Sequence, residues 1–371
     1  MARVRRGGYN AGRIPAGGAT RGRPSPKHPR LMATLGASGG GASGGGPGGA
    51  ATIGVAVVGV GDGWPGQRDA LLSLAGRVRV AAVVDAVPLR AEGAAAEVGA
   101  VAAGGVLAAA RRPDVRAVLL GDPAWWGLSA LDLLLTAEKP VLVCGPVDPA
   151  DDRLDALAAR AAATGAVVVP DLSRRFTPST LRLRELAATT LGAVGRVEVT
   201  APLPAPSPLA DSYGQPVNAA RFVSLADWAA HLLPGPVREV SAAADPAAGP
   251  ATVTLTADGA EDVVTLAPGE DGPAEATVTC AGGTATLAGG RTLRVAVRGE
   301  AERTEDLSAE PPGFRTLLTL FLRRAVGGLV PVPDLHDLAA AVTLGRAAAE
   351  SARTGRPVPL SVPGGQADRP R

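Results

Sequence analysis

Cysteine is almost absent from this chain. Cys144 and Cys280 stand far apart in 371 residues and in no metal-ligand spacing. Their scarcity argues against a disulfide scaffold and a thiolate zinc site, and it makes a reducing, cytoplasmic setting the expectation. Long apolar runs are also missing: Gly, Pro, Arg or Asp interrupts each one before the roughly 18 residues that a membrane span needs, so no membrane partner is expected. No charge of one sign dominates. Against 37 Lys and Arg stand 35 Asp and Glu, and a formal charge of +2 gives no general pull toward nucleic acid. Aromatics make up only 3% while Ala and Gly abound, a composition that reflects GC-rich coding as much as function. What remains is ordinary for a globular protein: 46% apolar and 19% charged residues, in a chain long enough for two domains.

The basic excess is local. The first 30 residues hold seven Arg and one Lys with no acid, and glycine takes over from Gly36. Residues 1–50 are therefore expected to be a disordered basic and then Gly-rich arm. Arg5-Arg6 is followed by no apolar region of the kind an export signal needs, and Met32 offers a second possible start.

The chain is organised around the stretch from Ile53 to Asp85. Gly54-Val-Ala-Val-Val58 is short, β-branched and uncharged, as suits a strand buried on both faces of a parallel sheet. Gly59 and Gly61 follow at once, Pro65 fits the first turn of a helix, and Asp85 ends a second apolar strand. In a dinucleotide-binding βαβ unit the first glycine makes the tight turn. The second lets backbone approach the diphosphate, and the acid accepts the ribose hydroxyls. Two residues depart from the pattern. Trp64 takes the third glycine's position, and Asp62 adds a carboxylate to the phosphate turn. A plain βαβ unit with an empty crevice is the alternative.

Strands and helices alternate onward, which predicts a doubly wound parallel sheet over residues 51–172. Helices are expected at Leu89–Val98 and Leu128–Ala137, and from Asp148-Pro149-Ala150-Asp151 to Gly165. Strands are expected near Gly105–Leu107 and at Val115–Leu120, Val141–Cys144 and Ala166–Pro170. Residues 173–360 change character. Helices at Pro178–Ala188 and Val223–Leu233, the strand Arg196–Ala201, six short Thr- and Val-rich strands from Val237 to Val297, and helices Phe314–Val326 and Leu335–Thr354 predict an α+β domain with a largely antiparallel sheet. Residues 361–371 read as a disordered tail. The overall class is α/β: a Rossmann sheet followed by an α+β domain for substrate and dimerisation.

The order of these elements, with several motifs, resembles the Gfo/Idh/MocA family of oxidoreductases, named for glucose-fructose oxidoreductase, inositol dehydrogenase and a rhizopine-catabolism protein. The residues that carry the resemblance are Gly59–Gly61, Asp85 with Arg90 behind it, Asp114-Val-Arg-Ala-Val-Leu-Leu before Asp122-Pro123, Leu172-Ser-Arg-Arg-Phe-Thr-Pro178 leading into Leu181-Arg-Leu-Arg-Glu-Leu186, and Ser351-Ala-Arg-Thr-Gly-Arg-Pro-Val-Pro-Leu360. The resemblance implies an NAD(P)-dependent oxidoreductase acting on a sugar, cyclitol or related polyol, assembled as a homodimer or homotetramer. Gly59, Gly61, Asp85, Pro123 and Trp126 would meet the cofactor. Asp85 favours NAD over NADP, because a carboxylate repels a 2′-phosphate.

The catalytic motifs that the resemblance implies are degenerate here. Glu138-Lys139-Pro140 looks like the family's Glu-Lys-Pro but precedes the strand that the motif should follow. After that strand the chain reads Cys144-Gly145-Pro146, so Gly145 occupies the lysine position. Gly127 occupies the place of a histidine. Asp227 and His231 have the i, i+4 spacing by which a carboxylate could orient a general-base imidazole. A second register instead puts Ser224 and Ala220 at the family's histidine and aspartate, and it keeps the helix length before the sheet. Other candidates are Arg174, Arg175 and Tyr213, and for the arginines an ion pair bridging the domains is the plainer reading. Trp125 and Trp126 either stack on the cofactor or fill the loop. Two functions follow: an oxidoreductase with an altered acid/base set on Asp227 and His231, or a catalytically silent relative that still binds a dinucleotide or sugar.

Overall fold

A computed structural model describes residues 52–122, 126–145, 147, 151–203, 217–245, 249–257, 260–268 and 273–361. The basic arm, the tail, Pro123, Trp125 and Tyr213 lie outside the described residues. The chain divides into Met1–Gly49 and Ala50–Arg371, and the second unit holds every element below.

The first sheet contains β1 (Ile53–Val58), β2 (Val78–Val84), β3 (Val101–Ala102), β4 (Ala117–Leu120), β5 (Val141–Val143) and β6 (Val168–Pro170). Its strands are parallel and ordered β3-β2-β1-β4-β5-β6. Parallel strands covered on both faces must be apolar throughout, and Val55 to Val58 and Ala117 to Leu120 are all fully buried. The order reverses between β1 and β4, so the crevice of such a sheet opens at their carboxyl ends.

The intervening helices are α1 (Trp64–Leu72), α2 (Pro88–Val98), α3 (Val106–Ala110), α4 (Ser129–Thr136) and α5 (Leu154–Thr164). Two expectations shift here. The run near Gly105–Leu107 begins a helix, its strand lying earlier at Val101–Ala102, and α5 starts at Leu154 rather than beside Asp148. Gly165 does end α5 in the left-handed conformation, donating its N–H to the Ala162 carbonyl.

The second half opens with α6 (Pro178–Leu186), β7 (Val194–Leu203) and α7 (Val217–Leu232), so α7 begins well before the expected Val223. β8 (Val237–Asp245), β9 (Gly249–Ala257), β10 (Ala260–Pro268), β11 (Glu275–Cys280), β12 (Gly283–Ala288), β13 (Thr292–Val297), β14 (Arg303–Asp306) and β15 (Val358–Pro359) join β7 in a nine-stranded sheet. Its pairs are antiparallel except β7 with β10. Alternation sets its faces: Val197, Val199, Val253, Leu255 and Val278 are buried, whereas Glu198, Thr200, Thr256 and Thr279 face outward and are exposed.

The last two helices return to the first sheet. α8 (Gly313–Ala325) packs Leu317, Leu318 and Phe321 against the face that carries α1 and α2. α9 (Leu335–Thr354) serves both cores. Leu335, Leu338, Ala341 and Val342 pack with α3, α4 and α5, while Leu344, Ala347 and Ala348 pack under the second sheet. Its start is fixed by a capping box in which Asp334 accepts from the Asp337 N–H and Asp337 accepts from the Asp334 N–H. Among the described residues, no helix is long and apolar enough to cross a membrane.

Candidate functional site

The crevice has two ends. At the first, β1 runs into Gly59, whose φ of 84° is strained for any side chain. A Cβ at Gly59 would strike the backbone of Asp122, and one at Gly61 would strike the Asp122 carboxylate. The βα1 turn and the end of β4 thus close on each other through glycine. Gln67 locks them together from α1, its Nε2 donating to the Gly121 carbonyl at 3.0 Å. Its Oε1 is buried and has no hydrogen-bond partner among the described residues.

Trp64 leaves this turn open. Its ring is buried with Leu71 and Leu74 on the α1 face, and Nε1 donates to Glu97 of α2 at 3.1 Å. Asp62 is exposed. Among the described residues no side chain caps α1 and no acid stands within its first turn, so its N-terminal N–H groups face the turn. That end, with the glycine turn before it, fits the diphosphate of a dinucleotide.

Asp85 takes part in the turn. Its Oδ2 accepts from the Val60 N–H and its Oδ1 from the Val87 N–H, both at 2.8 Å, and its side chain is only 1% exposed. The carboxylate ties the glycine turn to the end of β2, and each oxygen keeps a second lone pair.

At the other end of the crevice side chains give way to backbone. Gly145, directly after β5, is exposed with φ 80°, and Gly127 has φ 52°. Beside Gly127 stands Arg153, whose Nη2 lies 3.3 Å from where a Cβ would be. Asp151 holds that guanidinium, and Ser129 Oγ accepts from its Nη1 at 2.6 Å. The guanidinium in turn holds the Asp151 carboxyl below its ordinary range. Trp126 is half-buried and packs on the core beneath α4 and α5, which favours the loop-filling role. Glu138-Lys139-Pro140 lies at the opposite, amino edge of the sheet, where Lys139 Nζ donates to the Val115 carbonyl at 3.0 Å. The triplet is a decoy, as its position implied.

Sequence reading passed over Asp171. It follows β6, beside β5, where its N–H donates to the Val143 carbonyl at 2.7 Å, and its Oδ1 accepts from the Ser173 N–H at 3.1 Å. Burial pushes its carboxyl above the ordinary aspartate range, with the Ser173 hydrogen bonds and Arg174 opposing. The Cys144 thiol next to it is pushed well up, by burial first and by the Asp171 charge second. The one signal in the sequence was an acid at the carboxyl end of a strand.

Asp227 and His231 do not form the expected pair. Asp227 is buried, and both its oxygens go to Arg175, whose Nε donates to Oδ2 at 3.0 Å and Nη2 to Oδ1 at 2.5 Å. Arg175 Nη1 also reaches Asp337 of α9 at 3.1 Å. Burial alone would lower the Arg175 pKa, but Asp227 and Asp337 hold it above its ordinary range. This is an ion pair within residues 173–360, linking the turn after β6 to α7 and α9. His231, one turn beyond Asp227, has its Nε2 3.3 Å from Arg184 Nη1, in a hollow lined by Leu183, Ala187, Gly192 and Val194. Arg174 lies over the Trp228 ring, 5.6 Å from its centroid, and Trp228 Nε1 donates to Thr180 Oγ1 at 2.9 Å. Ser224 is half-buried on α7.

No protein-family model matches the sequence, and no curated protein sequence matches it. Solved structures do match in fold. A myo-inositol dehydrogenase from Corynebacterium glutamicum is 19% identical with a TM-score of 0.70, over 84% of this chain and all of that one. Levoglucosan dehydrogenase in complex with NADH and levoglucosan is 16% identical with a TM-score of 0.72, over 83% of this chain and 99% of the other. GenD2 from gentamicin A biosynthesis, in complex with NAD, is 23% identical with a TM-score of 0.70, over 87% of this chain and all of that one. The resemblance read from the sequence is thus found as a likeness of fold to inositol and sugar dehydrogenases.

Proposed function

We propose that the chain is a nicotinamide-dinucleotide-dependent oxidoreductase passing hydride between the cofactor and a carbon of a sugar, cyclitol or related polyol. The observation that carries this reading is the strained Gly59 turn feeding the uncapped end of α1, set at the switch point of a fold shared with NAD- and NADH-bound dehydrogenases. The turn and the α1 N-terminus hold the diphosphate, and the bound nicotinamide supplies or accepts the hydride. The acid/base set is altered. With Asp227 committed to Arg175, the proton falls to Asp171, a carboxyl at the sheet edge whose pKa burial has raised. Asp85 underlay the expectation of NAD over NADP. Each of its oxygens keeps a lone pair beyond its backbone N–H bond and the carboxylate still repels a 2′-phosphate, so NAD remains the favoured cofactor. The unit assembles as a homodimer or homotetramer through the exposed face of the nine-stranded sheet.

A second reading, a silent dinucleotide- or sugar-binding relative, is favoured by Gly145 and Gly127, which bring no proton donor to the reaction end. One assay separates the two. Purified full-length chain is given NAD or NADP with a panel of sugars and cyclitols, and nicotinamide absorbance and binding are followed together. Turnover that Asp171→Asn slows supports the oxidoreductase, binding without turnover supports the silent relative, and binding of neither dinucleotide overturns both.

A further inference from the structure

The second glycine of a dinucleotide turn lets backbone come close to the diphosphate, with no Cβ in between. In this chain that room is taken by the protein itself. A Cβ built on Gly61 would stand 2.6 Å from the Asp122 carboxyl carbon, so the carboxylate lies against the face of Gly61 that the missing side chain opens. The backbone holds Asp122 there. Gly121, just before it, donates its N–H to the Val58 carbonyl at 2.8 Å, and Gly59 fits only because it carries no Cβ to meet the Asp122 main chain. Asp122 is half-buried between the turn and the end of β4. The charges nearby do not offset it. Asp62 adds an exposed carboxylate to the same turn, while Arg90 spends its Nη1 on the Val60 carbonyl at 3.3 Å, with Asp85 Oδ1 3.9 Å away.

Resting on the dinucleotide reading above, we infer that Asp122 governs how tightly the crevice holds a diphosphate: its carboxylate occupies the place beside Gly61 and has to turn away before a dinucleotide seats. Two separate costs arise. Turning the side chain out gives up its packing against the turn, whatever its charge. A carboxylate left a few ångström from the diphosphate also repels it, more strongly in a half-buried crevice than in open water. Salt screens the second cost and not the first. The two costs are therefore separable by substitution. Asparagine keeps the side chain's shape and removes the charge, whereas alanine removes both. A nucleoside without phosphate does not enter the place beside Gly61 and feels neither.

The test is a set of calorimetric titrations of the full chain with NADH, ADP and adenosine, the native protein beside Asp122→Asn and Asp122→Ala, with the Tm of each recorded. Asp122→Ala is expected to bind NADH about tenfold or more tighter than the native chain, with Asp122→Asn between them. ADP should follow the same order, and adenosine should stay within about twofold throughout. Raising the salt concentration should narrow the gap between the native chain and Asp122→Asn. The isosteric Asp122→Asn decides alone where Asp122→Ala does not fold. NADH binding that is unchanged or weaker in the folded variants would overturn the inference, since the carboxylate would then help to hold the nucleotide, and the oxidoreductase reading would stand. A gain that adenosine shares would overturn it in the same way. Binding of NADH by none of the three chains would overturn that reading and the inference with it.

Discussion

The two ends of the crevice show opposite kinds of investment. At the glycine-turn end the contacts are tight and each has backbone on one side: glycine backbone presses on Asp122, Gln67 clamps the Gly121 carbonyl, and Asp85 staples the Val60 and Val87 N–H groups. At the other end Gly145 and Gly127 present backbone without side chains, with Arg153 beside Gly127 and Asp171 standing beside β5. Cofactor-holding geometry is written in backbone conformation, which few residues can satisfy. Proton handling needs only one tunable group within reach, so it can migrate within a fixed scaffold.

That contrast breaks most visibly if a third region, the Arg175–Asp227 ion pair, turns out to be catalytic. Arg175→Ala leaves Asp227 buried and uncompensated and is expected to cost about 3–5 kcal/mol of stability, read as a fall in Tm. Loss of turnover with an unchanged Tm would instead make the pair part of the chemistry. Gly59→Ala comes next. A side chain at φ 84° against the Asp122 backbone should cost about 1–3 kcal/mol in strain and weaken dinucleotide binding roughly a hundredfold. Full binding by this variant would erase the distinction between the two ends.

Smaller effects sharpen the reaction end. His231→Ala should leave turnover within about twofold and stability within about 0.5 kcal/mol, because its ring sits by Arg184 rather than Asp227. A hundredfold loss of turnover would restore it as the base. Asp171→Asn should raise Tm slightly at pH 7. Burial raises the folded-state pKa of Asp171, so the folded chain holds that proton more tightly than the unfolded one. The native aspartate is therefore most favourable below its unfolded pKa, and it loses that advantage as pH rises through the folded value. The gain from asparagine should accordingly shrink as the medium is made acid, and a gain that grew instead would contradict the raised pKa.

How much of this was legible in the sequence depended on whether position alone fixed a role. The glycine turn, the bounds of the helix over Leu335–Thr354 and the place of Lys139 before β5 could be read directly, because turn conformation, helical period and strand order are local or sequential properties. Asp227 misled because its i, i+4 spacing to His231 is local, while the partner that wins it, Arg175, lies 52 residues away. Asp85 was found as the end of β2 but not as a staple, since its hydrogen bond to Val60 spans 25 residues. Asp171 gave only the weak signal of an acid at the carboxyl end of a strand, and its burial is what marks it. The run near Gly105–Leu107 was read as a strand, whereas it opens the helix Val106–Ala110, because so short an apolar run carries no period.

The most direct measurement is a calorimetric titration of the full chain with NADPH and NADH, run beside Gly59→Ala. Saturable binding by the native chain with at least one dinucleotide, lost in the variant, is the expected result. No binding of either by a folded native chain would contradict the account at its root.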